Sequence, residues 1–282
     1  MTLSVPGDKI HNGEESVSSP LFRFPPLRPF CFLICPLLPH GIESFINRTA
    51  HCGQTGEQTA LESDLDMSKE TDLQRVLDLG LVAIIRSDNG DQLVEVAEAL
   101  LAGGIDVLEV TFTVPGALEI IQQISKKLGK RILLGAGTVL DPETARAAIL
   151  AGAEFIVTPV VNVEVIQLCQ RYSKLCMVGA FTPTEVLTAW QAGADLVKVF
   201  PAEIGGPSYL KILHGPLPQI RLMPTGGVNL DTMAAFVKNG ACAVGLGSSL
   251  VEKEALANGD MQRIQTQAAA YVSKMKECRG QK

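Results

Sequence analysis

The sequence predicts an α/β fold in which eight strand–helix units close into a (β/α)8 TIM barrel. Glycines typical of helix ends recur roughly every 23 residues, at Gly80, Gly103, Gly129, Gly152, Gly193, Gly215 and Gly240. A short aliphatic run follows each glycine, and another run, after Ser173, divides the one long interval in two. Strands that alternate with helices pair in parallel, and eight such units favour a closed barrel. An open doubly wound sheet is the alternative.

Each predicted strand is short, rich in aliphatic residues and bounded by glycine or proline. The eight segments are 81–86, 105–111, 131–135, 155–158, 175–179, 196–200, 220–223 and 243–246. Between them, apolar residues recur at helical spacing, as in Leu93, Val96, Ala97 and Leu100. These stretches are predicted to be the amphipathic helices that cover the barrel.

The barrel is expected to span residues 67–282, after a disordered N-terminal extension of residues 1–66. Seven of the sixteen prolines precede position 40, and no strand or helix period is sustained there. The longest apolar run, residues 31–35, ends at Pro36 and is far shorter than the ~20 residues of a membrane span. We hypothesise that translation naturally starts at Met67, where a helix-like stretch begins.

Composition excludes several classes of protein. A formal charge of −6 and a pI near 5.3 argue against nucleic acid or an anionic membrane as partner. The seven cysteines contain no C-x-x-C pair, so neither a disulfide framework nor a zinc ribbon is expected, and a reducing cytoplasm fits best. Beyond residue 66 only His214 remains as a histidine. We therefore expect no metal site and no cofactor.

A lysine lies where a barrel strand should be apolar. Alternation along segment 196–200 places Lys198 and Phe200 on the face opposite Val197 and Val199. If the two valines pack against helices, Lys198 points into the barrel. Desolvation there favours the neutral amine, which is the nucleophilic form. The alternative is a structural lysine in a buried ion pair.

Two further charged residues are predicted to share this end of the barrel. In segment 105–111, alternation places Glu109 on the interior face, where it can pair with Lys198 or move protons. A purely structural pair is the alternative. Arg86 closes the first strand and is a candidate to bind a substrate carboxylate, with a surface arginine as the alternative.

Three glycine-rich turns point to a bound anion. Gly226 and Gly227 follow strand 7, and Gly247 and Ser248 follow strand 8. The loops after these two strands commonly bind phosphate in such barrels, because glycine lets backbone N–H groups approach the oxygens. The sequence therefore predicts a phosphorylated ligand. Segment 135–138, which ends in Gly137 and Thr138, is interpreted as a further donor-rich loop after strand 3, for the other end of the ligand.

These residues resemble the 2-keto-3-deoxy-6-phosphogluconate (KDPG) and 4-hydroxy-2-oxoglutarate (KHG) aldolase family over nearly all of residues 67–282. The matching runs are 102–104, 108–111, 135–139, 155–159, 197–202, 224–228 and 247–248. The resemblance implies a class I aldolase in which Lys198 forms a Schiff base and Glu109 shuttles protons. It also implies substrate contacts and phosphate ligands at Thr138, Pro159, Phe200, Thr225, Gly226, Gly227, Gly247 and Ser248.

The resemblance further implies a homotrimer that acts on a small phosphorylated keto acid. The expected reaction cleaves KDPG to pyruvate and glyceraldehyde 3-phosphate, with the galactonate epimer or 4-hydroxy-2-oxoglutarate as alternative substrates. In many members of the family an arginine lies four residues beyond the glutamate and binds the pyruvoyl carboxylate, but here that position is Thr113. Arg86 with the amides of Gly137 and Thr138 is expected to take over this role.

Two other functions remain open at this point. A phosphate-binding barrel enzyme that forms no imine, such as a relative of phosphoribosyl isomerases or thiamine-phosphate synthase, would use Lys198 only electrostatically. A catalytically inactive barrel would bind ligands or partners, with the proline-rich extension as a docking peptide.

Overall fold

The computed structural model describes residues 68–88, 90 and 92–280. The extension predicted for residues 1–66 and the start hypothesised at Met67 lie outside these residues. Within the described chain, strands and helices alternate along almost the whole length.

Eight parallel strands form one sheet in the order β7-β6-β5-β4-β3-β2-β1-β8. Isolated bridges between Leu222 and Ala241 and between Thr225 and Gly245 bring β7 and β8 together, so the sheet curls into a nearly closed barrel. The TIM-barrel prediction is confirmed and the open sheet is wrong. The strands are β1 (Leu81–Ile85), β2 (Val107–Thr111), β3 (Leu133–Gly137), β4 (Phe155–Val157), β5 (Leu175–Ala180), β6 (Leu196–Val199), β7 (Leu222–Pro224) and β8 (Val244–Leu246).

The helices begin at the residues that local chemistry favours. The Asp141 side chain accepts from the backbone N–H of Thr144, and Thr182 forms a capping box with Glu185. No helix in the described chain is long and apolar enough to cross a membrane. The helices are α1 (Lys69–Leu79), α2 (Leu93–Ala102), α3 (Ala117–Leu128), α4 (Pro142–Leu150), α5 (Val163–Arg171), α6 (Pro183–Gln191), α7 (Ala202–His214), α8 (Met233–Lys238), α9 (Lys253–Ala257) and α10 (Met261–Cys278).

Strand 3 differs most from its predicted bounds of 131–135. Residues Gly129–Arg131 form a 3-10 turn, so β3 begins two residues later and runs on to Gly137. The glycines at 135 and 137 therefore belong to the strand and not to a loop after it. A Cβ on Gly135 would overlap the ring of Phe155 on the neighbouring strand, which explains why this strand needs a residue without a side chain.

Two apolar layers hold the barrel together. The larger one lies between strands and helices, and includes Val197 and Val199 of β6. The smaller one fills the barrel interior with side chains near the strand starts, namely Val82, Val107, Leu133, Phe155, Leu175, Leu196 and Ala243. Val76 of α1 belongs to this interior cluster and is fully buried.

Helix α1 closes the amino-terminal end of the barrel. It contacts both β2 and β5, which lie on opposite sides of the ring. Lys69 Nζ lies 2.9 Å from Asp195 Oδ1, and Arg75 Nε lies 2.9 Å from Asp106 Oδ2. Arg279, just beyond α10, donates hydrogen bonds to the carbonyls at 77, 78 and 242. A ligand therefore approaches the barrel interior from the carboxyl end of the strands.

Candidate active site

Lys198 points into the barrel from β6. In register it lies between Gly179 of β5 and Met223 of β7, and its side chain is on the same face as Leu196 of the interior cluster. The residue is 6% exposed. Its Nζ lies 5.4 Å from the centroid of the Phe200 ring, two residues further along the chain. A primary amine is therefore held inside the barrel beside an aromatic face.

Glu109 lies in the interior face of β2 and is fully buried. Neither of its carboxyl oxygens has a hydrogen-bond partner among the described residues. Burial raises the pKa of Glu109, while the positive charges of Lys198 and Arg86 oppose that rise. The lysine is near enough to act on the carboxyl electrostatically but is not hydrogen-bonded to it. Lys198 and Glu109 therefore do not form a hydrogen-bonded ion pair in this structure.

Glycine on β3 makes room for this carboxylate. A Cβ on Gly137 would overlap Oε1 of Glu109, so only glycine lets the glutamate occupy its place. The sequence predicts Gly137 as a loop donor, but its clearest role in the structure is steric. Thr138 follows with a φ of 58°, a left-handed conformation that is unusual for a β-branched residue and places it half-buried at the strand end.

Pro159 packs against Gly179 of β5, the strand next to the one that carries Lys198. Its carbonyl group lies where a Cβ on Gly179 would be, and Gly179 is the register partner of Lys198. Sequence analysis missed Thr158, which fixes this loop. The fully buried Thr158 donates to the carbonyl of Val160 at 2.7 Å and accepts from the amide of Gly179 at 3.2 Å. The only sequence signal for it was a polar residue that ends an apolar strand.

A cavity of about 950 Å³ opens at the carboxyl end of the barrel, beside the last strands and the first. Phe200 and Thr225 belong to its wall, so Lys198 lies two residues below the wall on the same face of β6. Arg86, the first residue beyond β1, is exposed and also lines the cavity. Arg86 is therefore both a surface residue and part of the cavity wall.

The two glycine turns, residues 225–227 after β7 and 247–249 after β8, form one side of the cavity. Gly226 and Gly227 have φ of 94° and 71°, values that other residues rarely adopt. In the described chain the backbone amides of Gly226, Gly227, Gly247 and Ser248 donate to no other protein group. Ser249, which sequence analysis did not single out, joins the two turns through a 2.8 Å bond from its hydroxyl to the Val228 carbonyl. The turns therefore offer several amide donors to an anion.

Thr225 adds an unused hydroxyl to the same wall. It is 6% exposed and its Oγ1 has no partner within the described residues. A Cβ on Gly245 would overlap that oxygen, so glycine on β8 provides the space for it. Leaving a buried hydroxyl without a partner costs about 1–3 kcal/mol, which a bound ligand would recover.

Thr113 is exposed and does not reach into the cavity wall. Its Oγ1 lies 2.8 Å from Oγ1 of Thr111, which in turn donates to the Ile85 carbonyl at 3.4 Å. The two threonines therefore join the ends of β1 and β2 and supply no positive charge.

In the described residues no cluster of three or more histidine, cysteine, aspartate or glutamate side chains is arranged to hold a metal ion.

The fold and the buried amine place this protein among the barrel enzymes that bind their ligands at the carboxyl ends of the strands. A model of the KDPG and KHG aldolase family matches residues 73–267. The chain therefore belongs to the KDPG and KHG aldolase family, whose members are lyases that act on carbon–carbon bonds. The expected family is confirmed.

Two curated relatives cover most of the described chain. The 2-dehydro-3-deoxy-6-phosphogalactonate aldolase of Escherichia coli (strain K12) is 36% identical over 200 residues, which is 71% of this chain and 96% of the relative. The 2-dehydro-3-deoxy-phosphogluconate aldolase of Pseudomonas aeruginosa is 35% identical over 202 residues, or 71% of this chain and 90% of the relative. The similarity thus extends over nearly the full length of both enzymes.

Solved structures agree with this assignment. A native KDPGal structure is 34% identical, with a TM-score of 0.67 over 71% of this chain and 96% of that chain. A second structure is KDPG aldolase from Legionella pneumophila, with pyruvate captured at low pH as a covalent carbinolamine intermediate. It is 29% identical, with a TM-score of 0.64, and the match covers 70% of this chain and 97% of that chain. A thiamine phosphate pyrophosphorylase from Pyrococcus furiosus shares the fold alone. It is 15% identical, with a TM-score of 0.57, and the match covers 71% of this chain and 96% of that chain.

Proposed function

We propose that this protein is a class I aldolase that cleaves KDPG to pyruvate and glyceraldehyde 3-phosphate through an imine on Lys198. One observation carries the proposal. The Lys198 amine is buried at 6% exposure, below a cavity lined by two glycine turns, and Glu109 beside it has no hydrogen-bond partner among the described residues. Such an arrangement leaves both reactive groups available to a ligand.

The amine begins the reaction. Lys198 Nζ adds to the C2 carbonyl of the keto acid to give a carbinolamine, which takes up a proton from solvent and loses water to form a protonated imine. The positive nitrogen then accepts the electron pair of the C3–C4 bond. Lys198 is 6% exposed and its Nζ lies 5.4 Å from the centroid of the Phe200 ring, so the amine is held inside the barrel where this first step takes place.

Glu109 moves the protons. Its carboxylate takes the proton of the C4 hydroxyl as the C3–C4 bond breaks, which releases glyceraldehyde 3-phosphate and leaves an enamine. The protonated carboxyl then returns the proton to C3, and hydrolysis of the imine frees pyruvate and the lysine. A raised pKa suits a group that must be deprotonated in one step and protonated in the next, and such catalysis contributes about 10²–10⁴-fold.

The rest of the site holds the two ends of the substrate. The amides of Gly226, Gly227, Gly247 and Ser248 bind the phosphate, and Thr225 with Phe200 lines the path towards the lysine. Arg86, together with the amide of Thr138, binds the pyruvoyl carboxylate, since Thr113 has no charge and Gly137 is paired with β2 in the strand ladder. Pro159 shapes the site beside the register partner of Lys198.

We also propose that the protein is a homotrimer and acts in the cytoplasm. Several large apolar side chains are exposed on the single chain, among them Leu140 at 55%, Leu150 at 70% and Val160 at 53%, which supports association between copies. The acidic composition and the absence of a C-x-x-C pair fit a reducing compartment. Light scattering on the purified protein measures the oligomeric state, and a monomeric mass would contradict the trimer.

A kinetic panel tests the activity and the substrate together. We expect the fastest cleavage for KDPG, slower cleavage for the galactonate epimer and for 4-hydroxy-2-oxoglutarate, and a loss of at least about 10⁴-fold in Lys198→Arg, which keeps the charge but removes the nucleophile. Pyruvate release, followed with lactate dehydrogenase, is the measurement. Turnover by Lys198→Arg near the wild-type rate would mean that the lysine acts only through its charge.

A further inference from the structure

The wall of the cavity beside the glycine turns carries a carboxylate. Glu203 lies in the first turn of α7, and a Cβ on Gly227 would lie only 2.6 Å from the Cβ of Glu203. Two like charges at about 4–6 Å repel, and the effect is larger where solvent is partly excluded. The Glu203 side chain therefore starts next to the Gly227 turn, and a negative charge on that side of the cavity opposes the binding of a phosphate dianion there.

Lys253 is a cation on the same wall. It is the first residue of α9, and it lines the cavity together with Gly226 and Gly247. The turn that leads to it is fixed, because the amides of Leu250 and Val251 both donate to the Gly247 carbonyl at 3.0 Å. The flexible four-carbon side chain of Lys253 therefore starts from a fixed backbone on the cavity wall that also carries the glycine turns.

The acids on either side of Lys253 are already paired with another residue. Arg263 forms an ion pair with Glu252 through Nη2, and its Nη1 lies 3.6 Å from Glu254. In the part of the chain that the structure describes, Lys253 itself forms no hydrogen bond or ion pair. Its ammonium is therefore the charge at this end of the cavity that remains available to a ligand.

The other cation on the wall serves the opposite end. Arg86 follows β1, and its charge acts on Glu109 inside the barrel, where it opposes the rise in pKa of that carboxyl. Arg86 is thus associated with the reacting end of the substrate and Lys253 with the glycine turns. The two positive charges match the two anionic ends of a phosphorylated keto acid.

We propose that Lys253 binds the substrate phosphate, offsets the charge of Glu203, and determines the preference of this enzyme for phosphorylated over unphosphorylated keto acids. The inference rests on the proposed function, because it assigns a residue to the phosphate end of that site.

The first experiment compares Lys253→Gln with Lys238→Gln, which removes the same charge from a residue at the end of α8, outside the cavity wall. We expect the ratio of kcat/KM for KDPG to kcat/KM for 4-hydroxy-2-oxoglutarate to fall about tenfold in Lys253→Gln, mainly through KM, and Lys238→Gln to keep the wild-type ratio. Lys253→Arg should restore most of the preference. An unchanged ratio in Lys253→Gln, with turnover intact, would overturn the inference and leave the proposed function standing.

The second experiment measures binding without turnover, by titrating 3-phosphoglycerate calorimetrically into the same variants. The dissociation constant should rise about tenfold in Lys253→Gln and fall again when Glu203→Gln is added, because the opposing charge is then also absent. Tight binding that depends on Lys253 in a protein without aldolase activity would sustain the inference and refute the proposed function. Equal affinity in wild type and Lys253→Gln would refute the inference.

Discussion

The two ends of this barrel differ in whether their polar side chains have hydrogen-bond or ion-pair partners. At the amino end, α1 covers the opening, Val76 fills the interior, and the charged side chains of Lys69 and Arg75 reach carboxylate partners at 2.9 Å. At the carboxyl end, the Glu109 oxygens and the Thr225 hydroxyl are buried without partners among the described residues. The hydrogen-bonded and ion-paired groups at the amino end stabilise the fold. The unpaired polar groups at the carboxyl end are available to bind a ligand.

Two glycines near the carboxyl end of the barrel have a steric role. Gly137 and Gly245 lie where a side chain would displace Glu109 or Thr225, so they give space to a functional group on a neighbouring strand. Asp72 is the exception at the amino end, since it is 3% exposed and its Oδ1 has no partner in the described chain. The comparison therefore predicts which substitutions change catalysis and which change stability.

Of the substitutions that test this comparison, Gly137→Ala should have the largest effect. The new methyl group would overlap Glu109 Oε1 and push the carboxylate away from the reacting atoms, so we expect kcat for KDPG to fall by about 10²-fold or more. Steady-state kinetics measure the change. Gly247→Ala is the matched control, because a Cβ at that position would have no neighbouring atom within 4 Å, and its effect should be on KM for the phosphorylated substrate. A wild-type kcat in Gly137→Ala would mean that Glu109 need not occupy this position.

Val76→Ala should produce the opposite outcome at the other end. The residue is fully buried in the interior cluster, and its truncation is expected to cost about 2 kcal/mol of unfolding free energy, or about 4–8 °C in Tm. Urea denaturation measures the loss, and kcat and KM should stay within about twofold of wild type. A fall in kcat comparable to that of Gly137→Ala would show that the two ends are coupled.

The smallest expected effect is a pH dependence at Asp72. Burial, and then the negative charge of Glu154, raise its pKa to about 6, while Lys174 and Arg75 oppose the rise. A carboxyl whose pKa is higher in the folded than in the unfolded protein contributes stability at low pH, and this contribution is lost as pH rises through about 6. Asp72→Asn should therefore gain about 1–2 kcal/mol relative to wild type between pH 4.5 and 7.5, measured by urea unfolding. A difference that does not change with pH would contradict the assignment.

Much of this architecture follows from local sequence patterns. Seven helix-end glycines, each followed by a short aliphatic run, and the further run after Ser173 identify all eight strands, because helix ends and buried parallel strands are specified within a few residues. The alternation around Lys198 and Glu109 places both in the interior for the same reason, since successive strand residues point to opposite faces. Arg86 at the end of β1 follows from the same logic.

The remainder depends on contacts between distant segments. Nothing in residues Lys69–Leu79 indicates that this helix closes the barrel, because its partners Asp106 and Asp195 are far away in the sequence. The predicted bounds of β3 are wrong because the steric need for Gly135 and Gly137 comes from Phe155 and Glu109 on other strands. The hydrogen bond from the Ser249 hydroxyl to the Val228 carbonyl likewise could not be predicted, because it joins two loops that only the folded barrel brings together.

Borohydride reduction in the presence of pyruvate tests the central claim most directly. If Lys198 forms the imine, reduction should fix one three-carbon adduct per chain, abolish activity, and yield a single modified peptide with the label on Lys198. Lys198→Arg, treated identically, should remain unmodified. A fully folded wild-type protein that cleaves KDPG and yet retains an unmodified Lys198 after reduction would contradict the account.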